Sequence, residues 1–147
     1  MILVETSAWV EYDRATGSTV DRRLTELITV GADIAVTEPV LMEVLAGARD
    51  DSSWTQLRRL LTSFRWIAAD PVVDFEGAAR VYRSCRAAGI TPRGLIDCMV
   101  ASIALRTDSP VLTVDRDFVQ IADVMPLRFD PATEAELDPG AHRDGAR

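Results

Sequence analysis

The chain contains no lysine; all 16 of its basic residues are arginine. That absence excludes Schiff-base chemistry and the Walker-type phosphate cradle, both of which need a lysine amine. Histidine is nearly absent too. The single one, His142, sits in a polar C-terminal stretch, so a Ser-His-Asp or Cys-His arrangement has only a tail residue to draw on. Two cysteines, Cys85 and Cys98, form no C-x-x-C pair and are too few for a zinc site. They read as buried thiols of a reducing compartment. No apolar run approaches the ~18 residues of a membrane span. Glu5 interrupts the N-terminal apolar run and no basic segment precedes it, so a secretion signal is not expected and a cytoplasmic location is.

What remains for acid–base work is carboxylate, and carboxylates are the usual ligands of Mg²⁺ or Mn²⁺. A length of 147 residues and an apolar content of 48% suit one globular domain with a proper core. A net charge of −7 argues against a nucleic-acid binder that uses its whole surface. It leaves room for a local arginine face, or for cations held in an acidic pocket.

Strand-like and helical patterns alternate along the chain. Ile2–Val4 reads as a buried strand ending on Glu5, with Thr6 or Ser7 as cap of a helix through Tyr12. A helix over Val20–Ile28 stops at Gly31, a second strand covers Asp33–Val36, and Thr37 caps a helix with Pro39 in its first turn. Asp51 or Ser52 opens a helix carrying Trp54, Leu57, Leu60 and Leu61, and Arg65–Ile67 reads as an edge strand. Long helices over 72–88 and 95–105 flank the breaker Pro92-Arg93-Gly94. Val111–Val114 is a strand, Asp115 starts another helix, and Pro126–Phe129 is a last short strand. Residues 1–130 form the expected domain, and 131–147 a polar, flexible tail. Such alternation implies a mainly parallel sheet with helices on both faces, and functional residues at the C-terminal ends of its strands.

Four carboxylates interrupt apolar segments: Glu5, Glu43, Asp97 and Asp115, with Asp117 two residues beyond the last. Each has an ordinary explanation. Asp97 suits a helix N-terminus, Asp115 an N-cap, and Glu43 a solvent-facing position. Together they suggest more, because several acids against one small sheet must be paired, protonated or bridged by a cation. With no lysine and no core histidine, a divalent cation is the economical solution.

The segments Val4-Glu-Thr-Ser-Ala-Trp9, Thr37-Glu-Pro-Val-Leu-Met-Glu-Val-Leu-Ala-Gly47, Leu95-Ile-Asp-Cys-Met-Val-Ala101 and Leu112-Thr-Val-Asp-Arg-Asp-Phe118 resemble the PIN domain. More closely, they resemble the VapC ribonuclease toxins of type II VapBC toxin–antitoxin pairs. The resemblance implies a three-layer α/β sandwich around a five-stranded, mainly parallel sheet, a Mg²⁺- or Mn²⁺-dependent endoribonuclease, a homodimer, and a VapB-like antitoxin partner. It places the catalytic acids on Glu5, Glu43, Asp97 and Asp115. The metal falls to Glu5, Asp97 and Asp115, directly or through water, and supporting roles to Asp117, Thr6, Ser7 and Thr113. Arg93 and Arg116 are candidates for positioning RNA, each with a surface ion pair as the plain alternative. An apolar groove between the Val20–Ile28 and Trp54–Leu61 helices is the expected antitoxin seat. tRNA or rRNA is the expected target. In one respect the chain departs from the pattern: the family's first acid is normally aspartate, and here it is Glu5. A weakened or inactive nuclease, a PIN nuclease outside any toxin–antitoxin pair, and a non-catalytic scaffold therefore stand as alternatives. A receiver-type signalling domain would need the lysine that this chain lacks.

Overall fold

The computed structural model describes residues 1–138. Strand β1 (Ile2–Val4) leads through helices α1 (Thr6–Asp13) and α2 (Thr19–Thr29) to β2 (Ile34–Val36). Helices α3 (Glu38–Ala46) and α4 (Asp51–Leu61) connect to β3 (Arg65–Trp66). Then α5 (Val73–Ala87) and α6 (Leu95–Arg106) lead to β4 (Val111–Leu112), followed by α7 (Arg116–Ala122) and α8 (Pro131–Leu137).

The strands lie in the order β3-β2-β1-β4, and every pairing is parallel. Leu3 pairs with Ala35 on one side and Val111 on the other, so β1 is central. Its Leu3 and Val4, with Val36, Val111 and Leu112, are completely buried. Each such side chain contributes about 1.5–3 kcal/mol relative to exposure.

Connectivity fixes the layers. The chain steps from β1 to β2 to β3 in one direction, then crosses back beyond β1 to β4. Right-handed crossovers place the two sets of connecting helices on opposite faces. The principal helix contacts divide accordingly: α1 packs on α2 and α3, α3 on α4 and α8 on α2, while α5, α6 and α7 pack among themselves. The reversal leaves a crevice between the C-terminal ends of β1 and β4, where α3 also meets α6.

The fold departs from the sequence expectation in three places. The sheet has four strands, not five. The segment after Pro126 makes one isolated parallel bridge, Val111 to Phe129, through hydrogen bonds on both sides of Val111. Proline lacks the donor that would extend the ladder toward its N-terminal side. Second, β4 ends at Leu112, because the next amide on the side facing β1, that of Val114, is drawn off to the Ser7 hydroxyl, at 2.9 Å. Third, order continues past residue 130. Asp130 caps α8, Pro131 occupies its first turn, and α8 lies against α2 and β4. The remainder of the expected tail, with His142, lies outside the described residues.

The α5–α6 layer is held closely. A Cβ on Gly77 would meet the Ser102 hydroxyl at 2.0 Å, so only glycine admits this approach without rearrangement. Arg106 donates from Nε and Nη2 to the fully buried Asp74, at 2.8 and 2.7 Å.

Candidate active site

Glu5 follows β1 directly. It keeps an extended backbone (φ −83°, ψ 162°) and is itself the N-cap of α1, a position the sequence reading gave to Thr6 or Ser7. The helix begins without an intervening residue, so the strand's last extended position has to be the cap. Only 3% of Glu5 is exposed. Its Oε2 accepts three hydrogen bonds, from the Ser7 amide (2.9 Å), the Ser7 hydroxyl (2.5 Å) and the Thr113 hydroxyl (2.8 Å). Burial pushes the carboxyl above its ordinary pKa, while these donors pull the other way.

The two hydroxyls reach further. Ser7 Oγ accepts from the Val114 amide (2.9 Å) and Thr113 Oγ1 from the Asp115 amide (3.0 Å). Each hydroxyl carries one proton, and both protons point at Glu5, so the 3.1 Å contact between the hydroxyls is close packing. Glu5 thereby ties the end of β1 to the turn that presents Asp115. Thr133 backs this turn from α8, accepting from the Thr113 amide and donating to its carbonyl at 2.9 Å. Composition alone had put Thr133 in the tail. The helix-start signature, an N-cap Asp130 followed by Pro131, was the signal that marked it.

Asp115 caps α7 through the Asp117 amide (3.0 Å), so its ordinary role as a cap and its place in the cluster coexist. Arg93 clamps both acids, Nη2 on Asp115 and Nε on Asp117 (3.0 Å), and its amide also donates to Asp117. Of the two readings for Arg93, the ion pair is the one seen. Arg116 is exposed, and no hydrogen bond or ion pair holds its side chain among the described residues.

Across the crevice, Thr6 donates to Glu43 Oε1 at 2.8 Å. Asp97 sits in the first turn of α6, half-buried, with no hydrogen bond or ion pair to its carboxylate among the described residues. Burial, then repulsion from Glu5, Asp115, Glu43 and Asp117, push its pKa up to about 7. A cleft of about 370 Å³ collects Glu5, Thr6, Ser7, Glu43, Arg93, Asp97 and Asp115. Asp117 lies behind it, buried under Arg93.

This donor set suits a hydrated divalent cation. Asp97 carries a carboxylate that no hydrogen bond or ion pair among the described residues holds, and three further carboxylates face the same space. No three acids, cysteines or histidines among the described residues stand close enough to ligate one ion together. An ion in this cleft would be held directly by one or two carboxylates, with water filling the rest of its shell.

A second cleft, about 460 Å³, adjoins the first by sharing Glu43. Trp9, Arg14, Val44, Arg49 and Leu57 line it, placing it between α1, α3 and α4. The sequence reading had set a groove between the Val20–Ile28 and Trp54–Leu61 helices. No residue of α2 reaches this one, because α2 packs on α1 and α8 instead, and Trp54 points largely to solvent.

Residues 2–124 match the PIN domain. The chain is 43% identical over 129 residues to the VapC ribonuclease Mb1587 of Mycobacterium bovis and to ribonuclease VapC11 of Mycobacterium tuberculosis, covering 87% of this chain and 96% of each relative. The chain belongs to the PIN-domain family, in its VapC branch. Solved PIN folds agree in architecture. The VapBC2 structure from Rickettsia felis, bound to a promoter DNA fragment, superposes with a TM-score of 0.71 at 17% identity, covering 88% of this chain and 98% of that one. FitAcB from Neisseria gonorrhoeae gives 0.67 at 22% identity, covering 89% and 98%. Within this PIN domain, Glu5, Glu43, Asp97 and Asp115 share one cleft, with Thr6, Ser7 and Thr113 bonded to them.

Proposed function

We propose that this VapC-type PIN domain is a divalent-metal-dependent endoribonuclease and the toxin of a VapB-like antitoxin, acting in the cytoplasm as a homodimer on tRNA or rRNA. The observation that carries the enzymatic reading is Asp97, half-buried without a partner and opposed by three other carboxylates in one cleft. Such a cluster is costly unless a cation completes it. The toxin and antitoxin roles are supported by the VapC relatives and by structural neighbours that are toxin–antitoxin complexes. No helix among the described residues is long and apolar enough to cross a membrane.

Asp97, Glu5 and Asp115 would hold the Mg²⁺ or Mn²⁺ ion, directly or through water, with Glu43 positioning water beside them. When bound, the ion supplies charge neutralisation at the scissile phosphate and a more acidic water. The protein's own part is orientation. Ser7 and Thr113 fix Glu5, Thr6 fixes Glu43, and Arg93 fixes Asp115 and Asp117. Arg116, exposed between the last two acids, is free to reach an RNA phosphate. The products would carry 5′-phosphate and 3′-hydroxyl ends.

Glu5 in place of the family's usual aspartate does not require an inactive enzyme. Its Oε2 accepts from two hydroxyls and an amide, contacts that support a site suited to the longer side chain.

The test uses protein freed of antitoxin. Structured RNA should be cut with Mg²⁺ or Mn²⁺ and spared with EDTA, and Asp97→Asn should abolish cutting. Cleavage by Asp97→Asn at the parent rate would refute the site assignment.

A further inference from the structure

We propose that the cleft between α1, α3 and α4 is a phosphate-binding subsite that holds the RNA strand beyond the scissile bond. The inference rests on the nuclease reading above and adds to it the residues that bind the substrate.

An acidic cleft in a chain of net charge −7 cannot hold RNA by itself. Cationic groups must lie along the strand's path, and most arginines are engaged elsewhere. Arg23 is paired with Asp130, Arg65 with Asp33, Arg93 with Asp115 and Asp117, and Arg106 with Asp74. Arg14 and Arg49 are not, and of the arginines without such a partner (Arg58, Arg59, Arg83 and Arg116 are the others among the described residues) only these two stand in the cleft. Both are exposed, neither side chain makes a hydrogen bond or ion pair among the described residues, and both line this cleft. Asp50, next to Arg49, feels its charge but accepts its hydrogen bond from the Ser53 amide.

An independent observation comes from Trp9, which lines the same cleft and is 1% exposed. Its indole Nε1 is buried without an acceptor, and it is the one buried side-chain nitrogen or oxygen so placed among the described residues. Buried donors are almost always satisfied, so an orphan on a residue that lines the cleft marks a place where a ligand's acceptor is gained once the side chains covering it move aside. Two free guanidinium groups and one orphan N–H together describe a ligand with anionic oxygens. The acids in the cleft are Glu43, whose Oε1 is bonded to Thr6, and Asp13, solvated at the end of α1. An internal phosphodiester offers two such oxygens and a single charge. Glu43 lines both clefts, so a strand whose scissile phosphate lies among the acids continues directly into this one.

The experiment measures binding of a short fluorescein-labelled RNA in EDTA, where no cleavage occurs, across a series of salt concentrations. Arg14→Gln together with Arg49→Gln should weaken binding by at least about tenfold. The double variant should also flatten the salt dependence by ~0.7 per lost phosphate contact. Both side chains are exposed, so the variant's melting temperature should match the parent's. Trp9→Phe keeps an aromatic ring beside Tyr12 and Phe64 but deletes the N–H, and it should weaken binding without changing the salt slope. A parent that binds and cleaves RNA, with a double variant of identical affinity and slope, overturns the subsite and leaves the nuclease reading intact. A parent that neither binds nor cleaves overturns both. Unchanged RNA binding with loss of antitoxin binding in the double variant would make the cleft a protein-docking surface and likewise overturn the proposal.

Discussion

Replacing Asp97 with asparagine should stabilise the metal-free protein, and by an amount that depends on pH. The carboxyl is raised from 3.8 to about 7 in the folded chain. Between those values the folded state keeps a proton that the unfolded chain has released. Stability therefore falls as pH rises through that window, and the full penalty is present above about pH 7. Three units at 1.36 kcal/mol each set a ceiling of about 4 kcal/mol. Asp97 is partly open to its cleft, and solvent screening reduces this to roughly 2 kcal/mol. Asparagine has nearly the same shape and no charge, and Asp97 has no hydrogen bond to lose. In EDTA, the variant should match the parent near pH 4 and exceed it by roughly 2 kcal/mol at pH 8, or ~4–8 °C in Tm for a chain of this size. Urea denaturation at several pH values measures the difference directly. Mg²⁺ at pH 8 should narrow the gap by stabilising the parent more than the variant. A stability difference that stays flat from pH 4 to pH 8 would refute the reasoning, since it would mean that neither burial nor the neighbouring acids raise the Asp97 carboxyl.

Glu5→Asp retracts the carboxylate by about one C–C bond, ~1.5 Å, from the Ser7 and Thr113 hydroxyls. It should lower both stability and Mg²⁺-dependent cleavage; a large gain in cleavage would show that Glu5 attenuates the enzyme. Arg93→Gln removes the cation that clamps Asp115 and Asp117, and titration calorimetry should find tighter Mn²⁺ binding. Unchanged affinity would mean that these acids lie outside the ion's reach. Gly77→Ala drives a methyl into Ser102 and should cost about 1–3 kcal/mol in urea denaturation, partly restored by Ser102→Ala. Full stability in the single variant would show that α5 and α6 separate easily.

Much of the fold could be read from the chain because its apolar periodicities are clean and its stop signals ordinary. Gly31 and Gly89 lie just beyond α2 and α5 with positive φ, as their positions predicted. The acids stood out because each interrupts an apolar segment, and the structure gathers Glu5, Glu43, Asp97 and Asp115 in one cleft. What the chain did not disclose was which partner each polar group takes. Glu5 could be seen as a strand-tip acid but not as the cap of its own helix, because that depends on a connection with no spare residue. Arg93 offered a phosphate ligand and an ion pair on equal terms, and the ion pair depends on the turn at residues 92–94, which the spacing alone does not reveal. Thr133 looked like tail because a polar composition hides a short helix whose one buried face carries threonine. The cleft beside Glu43 lies between α1, α3 and α4, not between the Val20–Ile28 and Trp54–Leu61 helices, because amphipathic stripes show that a face is covered, not what covers it.

The route of the chain through the crevice has a bearing on when activity arises. The four acids are delivered by β1, α3, α6 and the turn after β4, and Thr133 of α8 braces that turn. A nascent chain that has exposed only its first hundred residues to solution holds Glu5, Glu43 and Asp97, with Ser7 on Glu5, but neither the Thr113 hydroxyl nor Asp115. No fragment released early by the ribosome, or clipped from the C-terminal side before Thr133, should assemble the cleft. The cleft is thus the last part of the fold to be finished, since the helix that braces it is the last one described.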